Sequence, residues 1–542
     1  MARPAPRSGK ESPVLVVVAL GLTGLAVVLA AEALSHRSGL PTSVLLVLAG
    51  LAYGYLPGPD LQLDPEVVLV VAIPPLLYAA ALESSLLALR RDVRAVVGLS
   101  VFLVLATALG VGAGLSWALP AVPLAAGVAL GAAVAPPDPV AALSIGRRAG
   151  LPPRLVTLVE GEGLLNDATA LTVLGVAVGA VGGHFSLGHA LLEFVVTAAG
   201  GVVVGAAVAR VLGRVRAVND EPLVDNALSL GTPFAAYLAG EELHVSGVLA
   251  VVVAGLLLGH RSPQLQTSGA RLQTRAVWRL VEFLLEGWVF LLIGQQLPAV
   301  LSGLHRYDRS DLAVAAAVTL GVVLLLRPLW LLASAHLPAR LHARLGGDPD
   351  EAAALSRREV LALSWAGTRG VITLAAAFSL PEGFPQRDLL LFCAYLVVLV
   401  TLVGQGLTFG PLLRRLRLGD TRLAAALLRN EARSAATSAA LARLDALLAR
   451  EPELAPAAGP LRRATQARQE RYERRVDALA AAEGGLPHDE AYAAGVRLRR
   501  EMIDAERQEL LDWRDSGRLP DADLRVLQRE LDLEESVLPP PA

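Results

Sequence analysis

Apolar windows of about 20 residues follow one another along most of the chain, separated by short polar interruptions, as far as Leu413. Since a bilayer core about 30 Å thick is crossed by roughly 20 helical residues, each window predicts one membrane-spanning helix. The predicted spans are 13–33, 40–57, 63–82, 95–119, 122–145, 155–182, 186–212, 224–240, 243–260, 277–299, 311–336, 358–381 and 387–413. These thirteen windows predict an all-α, polytopic membrane protein.

The pattern changes near residue 420, where leucines recur at helical spacing among charged residues, as in 441–448. This spacing is typical of amphipathic helices in water. Proline and glycine breaks are expected to divide the segment into about four helices, and they lie at 452–460, 484–487 and 517–520.

The composition agrees with a membrane part followed by a water-exposed part. The chain is 54% hydrophobic and 18% charged, and its mean hydropathy is +0.53, which does not describe a soluble protein. Charged residues number 57 in the first 420 positions and 41 in the last 122. We therefore predict an N-terminal tail (1–12), a transmembrane domain (13–415) and a cytoplasmic helical tail (416–542).

The orientation follows from the arginines, which concentrate in the loops after odd-numbered spans, as at Arg90, Arg147 and Arg414. Cytoplasmic loops retain Lys and Arg, so these loops and the C-terminal tail are predicted to face the cytoplasm and the N-terminus to face outward. The location expected for such a protein is the cell membrane.

Several function classes are disfavoured by the composition. The net charge of −2 and the lack of mixed basic and aromatic clusters argue against nucleic-acid binding. The single cysteine, Cys393, cannot form a disulfide within the chain. Glycine-rich phosphate loops are absent from the sequence, which argues against ATP-driven pumping, and we expect a transporter without a cofactor rather than an enzyme.

The fifth span carries an acid between two prolines, in the sequence Pro137-Asp138-Pro139. Proline removes amide donors and clashes with the preceding turn, so this helix is predicted to be interrupted within the membrane. Such an interruption is tolerated where it lines a cavity or is buried in protein, as in the ion sites of transporters. A simple kink with a buried, hydrogen-bonded Asp138 is the alternative.

The sixth span brings Glu162, Asn166 and Asp167 into one helix, in the sequence EGEGLLNDATAL. Glu162 and Asn166 are four residues apart and share a stripe, while Asp167 lies on the adjacent stripe. If the interrupted fifth helix packs at this corner, Asp167 and the free carbonyls near Pro137 are predicted to surround a hard cation, which prefers carboxylate and carbonyl ligands.

Two arginines, Arg327 and Arg369, lie inside apolar runs. A buried charge needs a partner, so we expect them to pair with acids among Glu162 and Asp138, with snorkelling as the alternative for Arg327. The glycines of WAGTRG would let the twelfth helix approach or unwind beside the fifth. Glu286 is expected either to line the entrance to the site or to be satisfied structurally by a neighbouring hydroxyl.

Three motifs in order resemble those of the monovalent cation:proton antiporter-1 family, the bacterial sodium/proton antiporters related to the animal sodium/proton exchangers. PPDPVA resembles the family's Thr-Asp-Pro segment, EGEGLLNDATAL its Glu-Gly-Glu-Ser run with Asn-Asp, and WAGTRG its Trp-Arg-Gly-x-Arg-Gly. The resemblance covers about residues 15–415 and implies a thirteen-helix fold, usually dimeric, with dimer and core domains.

The resemblance also implies roles for single residues. Asp167 would bind the cation or the proton, Glu162 would pair with Arg327, and Asn166 would imply electroneutral one-for-one exchange.

Two positions of the family's ion shell differ in this sequence. Pro137 replaces a threonine and keeps its carbonyl, whereas Gly163 replaces a serine and loses the hydroxyl. Outside the shell, Ala366 replaces the first arginine of the twelfth-helix motif.

The predicted function is secondary active sodium/proton antiport, with membrane lipid, monovalent cations and a second copy of the chain as partners. Burial of a carboxylate disfavours its charged form, so a proton and a cation can compete for one acidic site near neutral pH. The alternatives are a potassium/proton antiporter with the same mechanism, a cation channel, and a membrane sensor that signals through its tail.

Overall fold

The computed structural model describes residues 13–56, 68–183, 186–218, 221–335, 355–418, 421–482 and 490–538. No β-strand occurs within these described ranges, which confirms the predicted all-α class. The chain divides into two compact units, Met1–Gly419 and Asp420–Ala542. The predicted N-terminal tail (1–12) lies outside the described residues.

The first unit is built from helices that follow the predicted apolar windows. In chain order they are α1 Pro13–Ser38, α2 Thr42–Gly54, α3 Ile73–Glu83, α4 Leu86–Arg91, α5 Val93–Ala118, α6 Leu124–Val134, α7 Pro139–Ala149, α8 Pro153–Val181, α9 Leu187–Ala217, α10 Pro222–Glu242, α11 Gly247–Leu265, α12 Ser268–Ser302, α13 Arg309–Ala335, α14 Arg357–Trp365, α15 Val371–Phe378 and α16 Arg387–Leu416. Among the described residues, 7 helices are long and apolar enough to cross a membrane. Thirteen crossings remain a prediction.

Helices of the first unit pack in two groups. Helices α1, α2, α3, α9, α10, α11 and α12 pack on one another, and α5, α6, α7, α8, α13, α14, α15 and α16 form the other group. Contacts of α8 with α3 and of α12 with α15 join the two groups. Asp138, Asp167 and Glu286 lie close to this junction.

Two of the predicted spans are interrupted where proline or glycine was expected to break them. The fifth span is divided into α6 and α7 by residues 135–138, and the twelfth into α14 and α15 by 366–370. Asp138 has an extended backbone (φ −89°, ψ 114°), and its Oδ1 accepts a hydrogen bond from the N–H of Val140 at 2.9 Å. This carboxylate therefore caps the N-terminus of α7.

Among the described residues of the second unit there are four amphipathic α-helices, which agrees with the number predicted from the sequence. They are α17 Thr421–Leu448, α18 Ala455–Ala480, α19 Glu490–Asp515 and α20 Asp521–Ser536. Helices α17 and α18 pack together, as do α19 and α20. Arg507 joins α19 to α20 through Asp532 at 2.9 Å and Glu535 at 2.8 Å. The predicted break at 484–487 lies outside the described residues.

Candidate functional site

The two interrupted spans cross at their breaks. The N–H of Asp138 donates to the carbonyl oxygen of Thr368 at 2.6 Å, and Thr368 Oγ1 donates to the carbonyl oxygen of Asp138 at 3.0 Å. These reciprocal bonds satisfy backbone groups that an interrupted helix leaves without intrahelical partners. The crossing is thus held by polar groups of the two breaks themselves.

Gly370 is required by the close approach of the two breaks. A Cβ atom at this position would lie 1.8 Å from Asp138 Oδ2, far inside van der Waals contact. A larger residue would therefore displace the Asp138 carboxylate or separate the two spans.

Arg369 stabilises the broken end of α6. Its guanidinium donates from Nη1 to the carbonyl oxygen of Ala135, and its backbone N–H donates to Thr401 Oγ1 at 2.9 Å. A cation at the C-terminal end of a helix is favourable, because the free carbonyls there carry partial negative charge. The structure differs here from the expected pairing of Arg369 with a carboxylate, because among the described residues the Ala135 carbonyl at the end of α6 accepts from the guanidinium instead.

Asp167 faces a small cavity beside the crossing. This cavity of about 100 Å³ is lined by Asp138, Asp167, Gly163 and Thr373, among others, and is large enough for a few water molecules or a partly hydrated cation. Asp167 is 3% exposed, and no described residue forms a hydrogen bond or ion pair with it. Its carboxylate is therefore available for a proton or a cation.

Neutral oxygen atoms also belong to this region: Pro137 and Thr373 line the cavity, and Asn166 precedes Asp167 in α8 but is not among the lining residues. The adjacent Asn166 donates from Nδ2 to the carbonyl oxygen of Pro137 at 3.1 Å, which ties α8 to the break after α6. Within the described residues, the buried Asn166 Oδ1 and Thr373 Oγ1 have no hydrogen-bond partner. Carboxylate, amide and hydroxyl oxygens are ligands that hard cations prefer.

Glu162 and Arg327 form a buried, two-point ion pair. Arg327 Nη2 donates to Glu162 Oε2 at 2.8 Å, and Nη1 donates to Oε1. Glu162 is 1% exposed and Arg327 3% exposed. Arg327 Nε also donates to the carbonyl oxygen of Leu363 at 3.1 Å, so the pair connects α8, α13 and α14. Both carboxylate oxygens of Glu162 therefore accept hydrogen bonds from Arg327.

Glu286 and Glu160 also line the cation-sized cavity. Glu286 belongs to α12, in the other packing group, so the cavity lies between the two groups of helices. Glu160 Oε1 accepts from Arg147 Nη2 at 2.6 Å, which places an ion pair at the edge of the cavity. The acids around the cavity thus come from the break before α7, from α8 and from α12.

Gly163 is explained by its contact with Pro139. A Cβ atom on Gly163 would lie 2.5 Å from Pro139 Cγ. Pro139, the first residue of α7, therefore packs directly on α8 at Gly163, the position where the family pattern has a serine.

Three threonines belong to the site although little in the sequence distinguishes them from other threonines of membrane helices. Thr368 bonds the two breaks, Thr373 lines the cavity, and Thr401 accepts from the backbone of Arg369. Threonines in membrane helices commonly bond their own preceding turn. In the sequence, Thr368 and Thr373 are distinguished only by their proximity to Arg369 and its flanking glycines.

Comparison with known proteins identifies the family to which the chain belongs. A profile described as "Sodium/hydrogen exchanger, transmembrane" matches residues 23–415. An uncharacterised Na+/H+ exchanger of Mycobacterium tuberculosis is 34% identical over 97% of this chain and 96% of its own length. A sodium, potassium, lithium and rubidium/H+ antiporter of Bacillus subtilis is 33% identical over 67% of this chain and 56% of its own.

A solved structure shares the fold. The sodium proton antiporter MjNhaP1 from Methanocaldococcus jannaschii superposes with a TM-score of 0.60 at 22% identity. The match covers 74% of this chain and 99% of that one. The predicted broken-helix transporter fold is therefore confirmed.

Proposed function

Because this chain belongs to the sodium/hydrogen exchanger family of membrane antiporters, we propose that it exchanges Na+ for H+, one for one, with Asp167 as the group that binds both. The observation that carries this proposal is the state of Asp167. It is a buried carboxylate without a described protein partner, beside a cavity at the crossing of two interrupted helices.

Asp167, Asp138, Asn166, Thr373 and the Pro137 carbonyl are the proposed cation ligands. Asp138 Oδ1 is occupied by the N–H of Val140, so Oδ2 is the oxygen offered to the cation. The Pro137 carbonyl accepts one bond from Asn166 and retains a second lone pair. A single Na+ bound here needs no cofactor.

The exchange follows from competition between two ligands for one carboxylate. When Asp167 releases its proton, the negative carboxylate attracts Na+, and when Na+ leaves, a proton returns. The two loaded forms carry the same net charge, because Asn166 beside Asp167 cannot ionise. A cycle that moves only loaded forms therefore carries one Na+ in one direction and one H+ in the other, without net charge.

Alternating access is proposed to arise from movement between the two packing groups. The cavity is walled by α7, α8 and α15 from one group and by α3 and α12 from the other. Sliding of one group along the other would carry Asp138 and Asp167 past α12. The bonds between the two breaks and the Glu162–Arg327 pair would keep the site intact during this movement.

We place the protein in the cell membrane with its first unit spanning the bilayer and its second unit in the cytoplasm, in accord with the arginine distribution. The broad apolar surface of α9, with Leu191, Val195 and Val203 exposed, favours a homodimer through the group that contains α9.

A potassium/proton antiporter is the second candidate. The Bacillus subtilis relative named for sodium, potassium, lithium and rubidium favours it. The proposed ligands are the same for sodium/proton and potassium/proton exchange, because the same oxygen atoms would bind either ion.

Flux measurements test the proposal. We expect the purified protein in proteoliposomes to dissipate an imposed pH gradient when Na+ is added, as reported by an enclosed pH dye. Clamping the membrane potential should leave the rate unchanged if exchange is electroneutral. Parallel additions of Na+, Li+ and K+ would rank the ions. Cation flux without proton movement would contradict antiport and indicate a channel.

A further inference from the structure

A second and larger cavity lies next to the cation cavity. It measures about 720 Å³, within the range of small-molecule sites, and shares Ser84 with the cation cavity. Its acids are Glu83 and Glu282. Its basic residues outnumber them, and they are Arg147, Arg216, His260, Arg271, Arg275 and Arg279.

Arg216 is the most unusual of these residues because it is buried and incompletely paired. It is 4% exposed, and its Nε lies 3.4 Å from Asp225 Oδ1. No described residue forms a hydrogen bond with its Nε or Nη2. Asp225 is itself shared, since its Oδ2 accepts from Gln266 Nε2 at 2.6 Å. Buried donors without acceptors are costly, so a further acceptor is expected at Arg216.

The helix α12 adds a row of like charges to the same cavity. Arg271, Arg275 and Arg279 are spaced four residues apart, which places them on one face of the helix. Like charges at this spacing repel one another and destabilise the helix. An anion in the cavity would remove both this repulsion and the shortage of acceptors at Arg216.

The positive-inside rule accounts for arginines in loops near the membrane surface. It does not account for the burial of Arg216 in the last turn of α9, or for the convergence of five arginines from three helices on one cavity. A structural ion pair with Asp225 alone would leave Nη2 without an acceptor among the described residues.

We propose that this cavity binds a phosphate-bearing anion, with phosphoryl oxygens on Arg216 and on the arginines of α12. The planar guanidinium matches phosphate oxygens with two parallel hydrogen bonds, and bonds between charged groups are the strong ones. The phosphate belongs either to a soluble compound or to a lipid headgroup, and both present the same chemistry to the arginines.

Calorimetric titration of the purified full-length protein with pyrophosphate tests the site without requiring transport. We expect saturable binding that Arg216→Lys weakens by at least about tenfold, because lysine cannot make the paired bonds. Lysine keeps the charge beside Asp225, so folding is retained. The double variant Arg275→Gln/Arg279→Gln changes exposed side chains and should weaken binding similarly.

Arg214→Gln is the matched control, because Arg214 is an exposed arginine of α9 that does not line the cavity. Its affinity should equal that of the unchanged protein. Retention of phosphatidic acid from mixed phosphatidic acid and phosphatidylcholine vesicles, measured by native mass spectrometry, identifies the source. Retention that Arg216→Lys abolishes indicates a lipid headgroup, and pyrophosphate binding alone indicates a soluble anion. Absence of both, or binding that the cavity variants leave unchanged, would overturn the proposal.

Discussion

The N–H of Asp138 lies 2.6 Å from the carbonyl oxygen of Thr368, so the break in one membrane span is bonded directly to the break in another. The returning bond from the Thr368 hydroxyl makes this contact reciprocal. Each break satisfies the other in an interior where unpaired backbone groups are costly. The candidate cation site is therefore a property of the crossing, and changes at the crossing should act on the site.

Gly370→Ala should impair transport strongly. The added methyl would lie 1.8 Å from Asp138 Oδ2, so the carboxylate or the crossing must move. We expect at least a tenfold loss of exchange rate, measured in proteoliposomes. Gly175→Ala is the control, because Gly175 lies in α8 with no atom within 4 Å of its added Cβ. Equal activity of the two variants would show that the close contact is unimportant.

Removing one member of the Glu162–Arg327 pair should destabilise the protein strongly. Glu162→Gln leaves Arg327 buried without its carboxylate, at a cost of about 3–5 kcal/mol in unfolding free energy. Glu162→Gln combined with Arg327→Met removes both charges and should be less destabilised than Glu162→Gln alone. Thermal unfolding in detergent measures both.

A more exposed pair provides the comparison. Arg154, which is 37% exposed, lies 3.3 Å from Asp92, and Arg154→Gln should cost about 1 kcal/mol or less. A loss of stability as large as that of Glu162→Gln would argue against the special role of the buried pair.

Arg369→Gln and Arg369→Lys should differ. The glutamine removes the positive charge at the C-terminal end of α6, whereas lysine keeps it and can still approach the Ala135 carbonyl. We expect thermal stability and exchange rate to fall further with glutamine than with lysine. A lysine variant as impaired as the glutamine variant would indicate that the guanidinium shape, and not its charge, matters.

Gly163→Ser should impair transport even though it restores the residue found in the family pattern. The serine Cβ would lie 2.5 Å from Pro139 Cγ, so α7 and α8 must separate. We expect a several-fold lower rate and a lower melting temperature. An unchanged melting temperature with faster transport would mean that the hydroxyl acts as a ligand without disturbing the packing.

The interruptions and their acid were predictable from the sequence because their chemistry is local. Prolines on both sides of Asp138 favour an interruption, because each removes an amide donor and clashes with the preceding turn, and the four-residue spacing of Glu162 and Asn166 fixes their common face. The partner of Arg327 was also among the acids named, because a charge buried in an apolar run needs an opposite charge.

The partner of Arg369 and the site threonines were not predictable in the same way. The carbonyl of Ala135 becomes an acceptor for Arg369 only because α6 ends beside the start of α15. This proximity arises from tertiary packing and cannot be read from the local sequence. The excess of arginines around the larger cavity also depends on packing, because Arg147, Arg216 and Arg275 lie on three different helices.

The most direct test of the account is the Na+-dependent decay of a pH gradient in proteoliposomes that contain Asp167→Asn. Asparagine nearly preserves the size of the side chain but cannot exchange a proton for a cation. The control is Glu193→Gln, which neutralises an exposed acid of α9 outside the cation cavity. We predict that Asp167→Asn reduces the decay to that of protein-free vesicles while Glu193→Gln retains the full rate. Sodium-driven decay by Asp167→Asn at the rate of the unchanged protein would contradict the account.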